Sequence, residues 1–499
     1  MFMRLWSNRV VRNTLSLFTG QTGAQLLALV FTIYLARVVP RNEYGALMFA
    51  FSFAVVFNVL SEYGLWTLLV RNMAREPAQA SDYFWNSVVL KLALSLIAAI
   101  LGLVVLITVY PARELRLVTC LAGGWLLFNA WYFSAAAVFR AFQEHHFDGS
   151  LSFIGKLLYV CLGLALIHFT RDVRWIAVLF TLTMAIQCGL AFAVVRARHR
   201  DFTFTFSLGR QWFLLRHAWL FFAINLFTTV HLRFAHLVIG KECAPSAVGF
   251  YNVAFMLVMV PIVLANAFVQ SMYPVLAESH ERGDAEFWPK ARSGFRWLGA
   301  LAFPVIVYMT IEGRRVLGAL FPPEFSAALL PMLILLWGLG LDFFNPFSGH
   351  ILYVLNRQKV VIGITATSVV VNIIANLVLV PWWGITGASV AMVLSLSVMF
   401  WGYAWALRHW LPVRSLLQQI LPPLGVAAAL APIVLVLAWR GGPVSYALCS
   451  LSASFAQHRH VLDILVFVIN GGIYFGLCVV ALFCLRILRW QDIKMFGGK

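Results

Sequence analysis

Four polar side chains in one long apolar segment are of the types that recognise anions. They are Asn225, Thr229, Arg233 and His236. At 100° per residue they share one face of a helix, all within about 80° of the first, whereas His231 lies on the other side. Arginine forms paired hydrogen bonds with phosphate oxygens, so the stripe predicts a site for a pyrophosphate or an acidic sugar. The alternative is that Arg233 reaches out to the membrane interface.

Other ionisable residues also fall inside apolar segments, where a charge costs about 2.5–3.5 kcal/mol at the centre of a membrane. Lys91 and Lys156 lie near the predicted cytoplasmic ends of their segments. They would attract an anionic headgroup or extend to the interface. Glu62 and Asp342 are the candidates for coupling transport to an ion. The alternative for both acids is a structural pair with a buried base.

Motifs for catalysis or nucleotide hydrolysis are missing from the sequence. The stretch closest to a phosphate-binding loop, residues 149–156, has one residue too many, and Leu157 follows it instead of Ser or Thr. No HExxH and no CxxC pattern occurs. The sequence therefore predicts a secondary transporter rather than an enzyme, with no catalytic residue, cofactor or metal site.

The composition requires these residues to be held by membrane helices. Of the 499 residues, 62% are hydrophobic and 11% are charged, against about 25% charged in soluble proteins. A membrane-spanning helix needs about 20 apolar residues, and such runs recur from one end of the sequence to the other. The fold class predicted is an all-α membrane protein with about fourteen transmembrane helices.

The predicted spans follow from these apolar runs. They are residues 14–36, 45–70, 88–109, 117–139, 151–169, 175–195, 217–240, 249–271, 295–312, 328–354, 360–380, 385–407, 417–438 and 461–485. Asp342 lies near the middle of the tenth, and Asn345-Pro346 after it predicts a local opening of the backbone.

The distribution of Lys and Arg indicates the orientation. With the N-terminus in the cytoplasm, the inner segments hold roughly twice as many of these residues as the outer loops. An even number of spans then places the C-terminus in the cytoplasm. The net charge of +18 is explained by inner loops facing anionic lipids, without nucleic acid.

A weak internal repeat predicts two lobes. Tyr44-Gly45 opens the second span and Gly249-Phe250-Tyr251 the eighth, each after an outer loop. We predict an N-terminal lobe at 1–205, a C-terminal lobe at 206–414 in parallel pseudo-repeat, and an extra helix pair with a cytoplasmic tail at 415–499.

Several short stretches resemble the polysaccharide-exporter branch of the MOP transporter superfamily, the Wzx-type flippases. They are residues 35–45 (LARVVPRNEYG), 62–65 (EYGL), 239–251 (IGKECAPSAVGFY), 273–276 (YPVL) and 381–388 (PWWGITGA), with Asn372 and Asn376. The similarity covers spans one to twelve. Many relatives carry an acid followed by a base where this chain has Ala235-His236, so the resemblance does not extend to a coupling acid at that place.

The resemblance implies a bacterial inner-membrane protein with two six-helix lobes around a cavity. It implies movement of an undecaprenyl-pyrophosphate-linked repeat unit to the periplasmic leaflet, for O-antigen, lipopolysaccharide or exopolysaccharide synthesis. The partners expected are the lipid-linked oligosaccharide, membrane lipids, and a polysaccharide polymerase with its chain-length machinery.

The residues are also compared with what two other functions would require. A multidrug or metabolite antiporter of the related branch would favour an acidic cavity for cationic cargo, and the basic candidates argue against it. A membrane-embedded glycan ligase or polymerase would need catalytic residues in a large outer loop. The longest predicted outer loop, 439–460, contains no carboxylate.

Overall fold

The computed structural model describes residues 9–170, 172–438 and 459–488, in which all regular secondary structure is helical and no strand occurs. The helices before residue 250 are α1 (Arg9–Val38), α2 (Arg41–Glu62), α3 (Leu65–Arg75), α4 (Ala80–Val109), α5 (Arg113–Ala122), α6 (Trp125–Ala141), α7 (His145–Thr170), α8 (Val173–Arg198), α9 (Leu208–Glu242) and the start of α10 (Pro245–Glu281). The later ones are α11 (Asp284–Leu320), α12 (Leu329–Leu339), α13 (Asn345–Val354), α14 (Gln358–Leu407), α15 (Val413–Ala429), α16 (Ala431–Ala438) and α17 (Arg459–Cys484). Short 3₁₀ turns lie at Pro77–Gln79, Pro323–Ala328 and Leu341–Phe343.

The helices confirm an all-α, multi-pass membrane protein. In the described part of the chain, 11 helical segments are long and apolar enough to cross a membrane, and a bent pair makes 12. The 50 residues of α14 would extend about 75 Å, more than twice the roughly 30 Å hydrocarbon core. Gly384 breaks its helical geometry with φ 55° and ψ −133°, so α14 covers two of the predicted spans.

Contacts divide the chain into two compact units, Met1–Gly249 and Phe250–Lys499. This division comes later than the predicted lobe boundary at 205/206, because α9 packs on α2, α3 and α4 of the first unit. In the second unit α15 and α17 pack on α11. The lobes at 1–205 and 206–414, which follow the repeat of six spans, stay a prediction.

A sharp joint separates α2 from α3 inside the single predicted span 45–70. Tyr63 and Gly64 both have left-handed backbones, with φ of 49° and 67°. A Cβ on Gly64 would lie 2.5 Å from the backbone nitrogen of Phe222 on α9. Glycine therefore permits both the backbone turn and the close approach of the two chains.

The tenth predicted span is broken, as Asn345-Pro346 predicts. The segments Pro323–Gly338 and Leu341–Val354 are bent by 41°, and the 3₁₀ turn Leu341–Phe343 lies between α12 and α13. The side-chain amide of Asn345 donates to the carbonyl of Leu396, 3.3 Å away. Asp342 is thus held on irregular backbone rather than within a continuous helix.

Candidate functional site

Two of the predicted functional residues form a buried ion pair in the first unit. Lys91 Nζ on α4 donates to Glu62 Oε2 at 2.6 Å and to the carbonyl of Ala130 at 2.9 Å. The other carboxylate oxygen accepts from the backbone N–H of Trp66 at 2.8 Å. The Lys91 side chain is fully buried, and that of Glu62 is 11% exposed. Sequence reasoning gave them separate roles, in headgroup binding and ion coupling, whereas the structure brings them together.

A second network of charged and polar groups links α6 to the start of α7. The guanidinium of Arg140 contacts Asp148 Oδ2 at 2.8 Å, and the hydroxyl of Tyr132 donates to Asp148 Oδ1 at 2.9 Å. Arg140 also lies over the ring of Trp66, 4.6 Å from its centroid. Sequence reasoning missed Asp148 because the predicted span began at residue 151, whereas α7 begins at His145.

A cavity of about 440 Å³ opens within the first unit, and Tyr132 of the second network is among its lining residues. Helices α6, α7 and α8 supply most of its lining, including Lys156, Tyr159, Asn129 and Gln187. Lys156 is the one cationic side chain among the described lining residues, and none of those residues is a carboxylate. The structure therefore places Lys156, a predicted anion-binding residue, at the wall of a cavity with positive charge.

Lys156 and Tyr159 have few partners of their own. The ammonium of Lys156 lies 5.5 Å from the centroid of the Tyr159 ring, and no ion pair of Lys156 occurs within the described ranges. The Tyr159 hydroxyl is buried without a hydrogen-bond partner among the described groups. Buried polar groups are normally hydrogen-bonded, so the covered Tyr159 hydroxyl is an exception, and Lys156 is the charged group at this wall of the cavity.

Helix α9 carries the predicted polar stripe, and the burial of its four side chains increases from Asn225 to His236. Asn225 is exposed, Thr229 and Arg233 are half-buried, and His236 is fully buried. His231, predicted to lie on the other side, is also buried at 8% exposure. Arg233 is thus only partly covered by its surroundings, whereas the side chain of His236 has no contact with solvent or lipid.

The described residues contain no group of three His, Cys, Asp or Glu side chains that could hold a metal ion. Asp342 lies half-buried in the second unit, at the broken tenth span. It is not among the residues that line the cavity.

Comparisons with known proteins show the family to which this sequence is similar. A family model described as "Polysaccharide biosynthesis protein" matches residues 10–280. The probable low-salt glycan biosynthesis flippase Agl15 of Haloferax volcanii is 22% identical over 419 residues, covering 82% of this chain and 86% of the relative.

Two solved structures share the fold at low sequence identity. The lipid II flippase MurJ in an inward closed conformation superposes with a TM-score of 0.69 at 11% identity, covering 92% of this chain and 98% of that one. An inward-facing multidrug resistance MATE family transporter of the MOP superfamily gives 0.66 at 14% identity, with coverages of 79% and 96%.

Proposed function

This chain belongs to the polysaccharide biosynthesis protein family, and on that premise we propose that it is a flippase for lipid-linked oligosaccharides. Its fold is that of MOP superfamily transporters, which confirms the resemblance seen in the sequence. The similarity to Agl15, a probable glycan biosynthesis flippase, extends over most of both chains and supports this class of cargo.

The observation that carries the proposal is the charge of the cavity. Lys156 lines it, and the described lining residues include no carboxylate. A cationic wall in a low-dielectric setting favours anionic cargo and disfavours cations. The multidrug antiporter remains the second candidate because the MATE transporter has the same fold. Its preference for cationic cargo would require an acid where this cavity has a lysine.

In its finer form, the proposed reaction moves an undecaprenyl-pyrophosphate-linked repeat unit from the cytoplasmic to the periplasmic leaflet by alternating access. The product would feed O-antigen or other surface polysaccharide synthesis, with a polymerase and chain-length machinery as partners. The protein would lie in the bacterial inner membrane with both termini in the cytoplasm. The basic inner segments support that orientation.

Arg233 is the proposed headgroup-binding residue, with Asn225 about 12 Å away along the axis of α9 and the buried His236 on the same helix as further candidates. Its half-buried position allows paired hydrogen bonds to phosphate oxygens. Lys91 would contribute to headgroup binding only if its ion pair with Glu62 opened, since the Lys91 side chain is fully buried. We assign ion coupling first to Asp342, because Glu62 already serves as the partner of Lys91.

Reconstitution tests the proposal. The purified protein is inserted into liposomes that contain a fluorescent lipid-linked oligosaccharide, and leaflet exposure is read with a membrane-impermeant quencher under imposed H⁺ or Na⁺ gradients. We expect protein-dependent flipping, reduced at least about tenfold by Arg233→Ala through the loss of charged hydrogen bonds. Arg216→Ala, an exposed position on the same helix, is the matched control and should flip normally.

Two results would refute the flippase. One is absence of flipping by folded wild-type protein. The other is transport of cationic drugs that survives Arg233→Ala and is abolished by Asp342→Asn, which would establish the antiporter instead.

A further inference from the structure

We propose that the cavity of the first unit binds an acidic sugar of the cargo, a residue of the uronic acid class, through its carboxylate. This inference rests on the proposed function and names the part of the cargo that the cavity recognises. Arg233, assigned to the pyrophosphate, does not line this cavity. Headgroup and glycan would therefore be bound at separate places on the same unit.

The charge balance favours a single carboxylate. Lys156 supplies one positive charge to the wall, and the described lining residues supply no acid. Asp148 does not line the cavity but accepts a hydrogen bond from the lining residue Tyr132. Its carboxylate is already paired with the guanidinium of Arg140. A charge within the membrane needs a partner, and a monoanion neutralises Lys156 completely. A pyrophosphate would bring more negative charge than one lysine balances.

The uncharged lining fits a sugar ring. Tyr159 is 6% exposed, and its hydroxyl has no hydrogen-bond partner among the described groups. The side-chain amides of Asn129 and Gln187 also line the cavity, so donors and acceptors surround the lysine. These groups match the hydroxyls of a sugar, which both donate and accept hydrogen bonds.

Aromatic rings complete the wall. Trp125 and Phe180, stacked on each other with centroids 5.2 Å apart, both line the cavity. The C–H face of a sugar ring packs on such a surface, whereas an inorganic phosphate has no apolar face to bury. The volume of about 440 Å³ lies in the range of about 300–1,000 Å³ usual for small-ligand sites. Size and chemistry together therefore indicate a sugar rather than a simple anion.

The test uses two synthetic cargoes that differ in one group. Both carry the same polyprenyl pyrophosphate and the same trisaccharide, with glucuronic acid in one and glucose in the other at the same position. Flipping is measured in liposomes for the wild type, Lys156→Gln and Lys156→Arg. We expect the wild type to flip the acidic cargo at least about tenfold faster, as the loss of a charged hydrogen bond predicts. Lys156→Gln should abolish that preference by slowing the acidic cargo much more than the neutral one, and Lys156→Arg should retain the preference.

The outcomes separate the two proposals. Equal flipping of both cargoes by the wild type overturns the acidic-sugar site and leaves the flippase standing. Equal slowing of both cargoes by Lys156→Gln also overturns it, because the lysine would then act on the shared headgroup or on the fold. Absence of flipping with either cargo overturns the flippase itself.

A binding measurement on the wild type avoids any folding defect of the variants. Acylation of lysines by an amine-reactive reagent is followed by mass spectrometry in the presence of the free trisaccharides. We expect the glucuronate trisaccharide to protect Lys156 and the glucose trisaccharide to leave it reactive. Equal protection by both sugars, or by neither, contradicts the proposed site.

Discussion

The Glu62–Lys91 ion pair allows a quantitative test of the structure. Lys91→Met removes the ammonium while keeping a side chain of similar length. It leaves the Glu62 carboxylate buried with the Trp66 N–H as its remaining donor among the described groups, and deprives the Ala130 carbonyl of its side-chain donor. Removing one partner of a buried pair costs about 3–5 kcal/mol of unfolding free energy.

Glu62→Gln gives the second side of a double-mutant cycle. Its amide oxygen can still accept from Trp66, but Lys91 then lacks an acid and remains fully buried. We expect a loss of similar size. The double variant removes both charges together, so it should be more stable than the sum of the single effects predicts, by at least about 2 kcal/mol.

The assay is unfolding in mixed detergent micelles, followed by tryptophan fluorescence. The control is Arg282→Met, which breaks exposed pairs with Glu278 and Glu286, where the three side chains are 58%, 63% and 36% exposed. Exposed pairs contribute little, so its unfolding midpoint should not move. Single variants that each cost less than about 1 kcal/mol, with additive effects, would refute the buried pair.

Three further predictions concern other parts of the molecule. Gly64→Ala should destabilise the protein by about 1–3 kcal/mol from its left-handed backbone alone. The control Gly189→Ala, with nothing within 4 Å of its added Cβ, should be neutral or slightly stabilising in the same unfolding assay. Equal effects of the two substitutions would contradict the strained backbone of Gly64 and its contact with α9. Asp342→Asn should reduce gradient-driven flipping to the rate seen without a gradient, and unchanged gradient dependence would remove Asp342 as the coupling acid. Gly155→Ala places a methyl group 2.5 Å from Cδ of Gln187, so it should displace that flexible side-chain amide. We expect flipping of the acidic cargo to slow severalfold while the unfolding midpoint stays unchanged. Unaltered flipping would show that the cargo does not reach this wall of the cavity.

The sequence predicts the spans well because hydropathy is a local property of the chain. It also predicts the break near Asp342, since Asn345-Pro346 interrupts helical hydrogen bonding locally. The local sequence does not predict the joint at Tyr63–Gly64. Its residues lie in an apolar run, and what requires glycine there is the backbone of α9, about 160 residues away in the chain.

The candidate site is predicted in part. Residue types single out Lys91, Lys156, Glu62 and Arg233, because each is costly in a membrane. Their partners depend on tertiary packing, so the sequence does not reveal that Lys91 is neutralised by Glu62 while Lys156 faces a cavity. Helical phase likewise puts His231 opposite His236 but does not show that both faces of α9 are covered there.

The α2–α3 joint has a mechanical consequence for transport. Tyr63 stacks on Phe222, with ring centroids 4.6 Å apart, and Gly64 touches the backbone of the same turn of α9. Phe222 and Arg233 lie on one continuous helix, separated by about 16 Å along its axis. Helix α9 therefore connects Arg233, the proposed headgroup-binding residue, to the α2–α3 joint that follows Glu62. If cargo displaces α9 along its axis, the proposal predicts that the Tyr63–Phe222 contact, and with it the surroundings of the Glu62–Lys91 ion pair, must change.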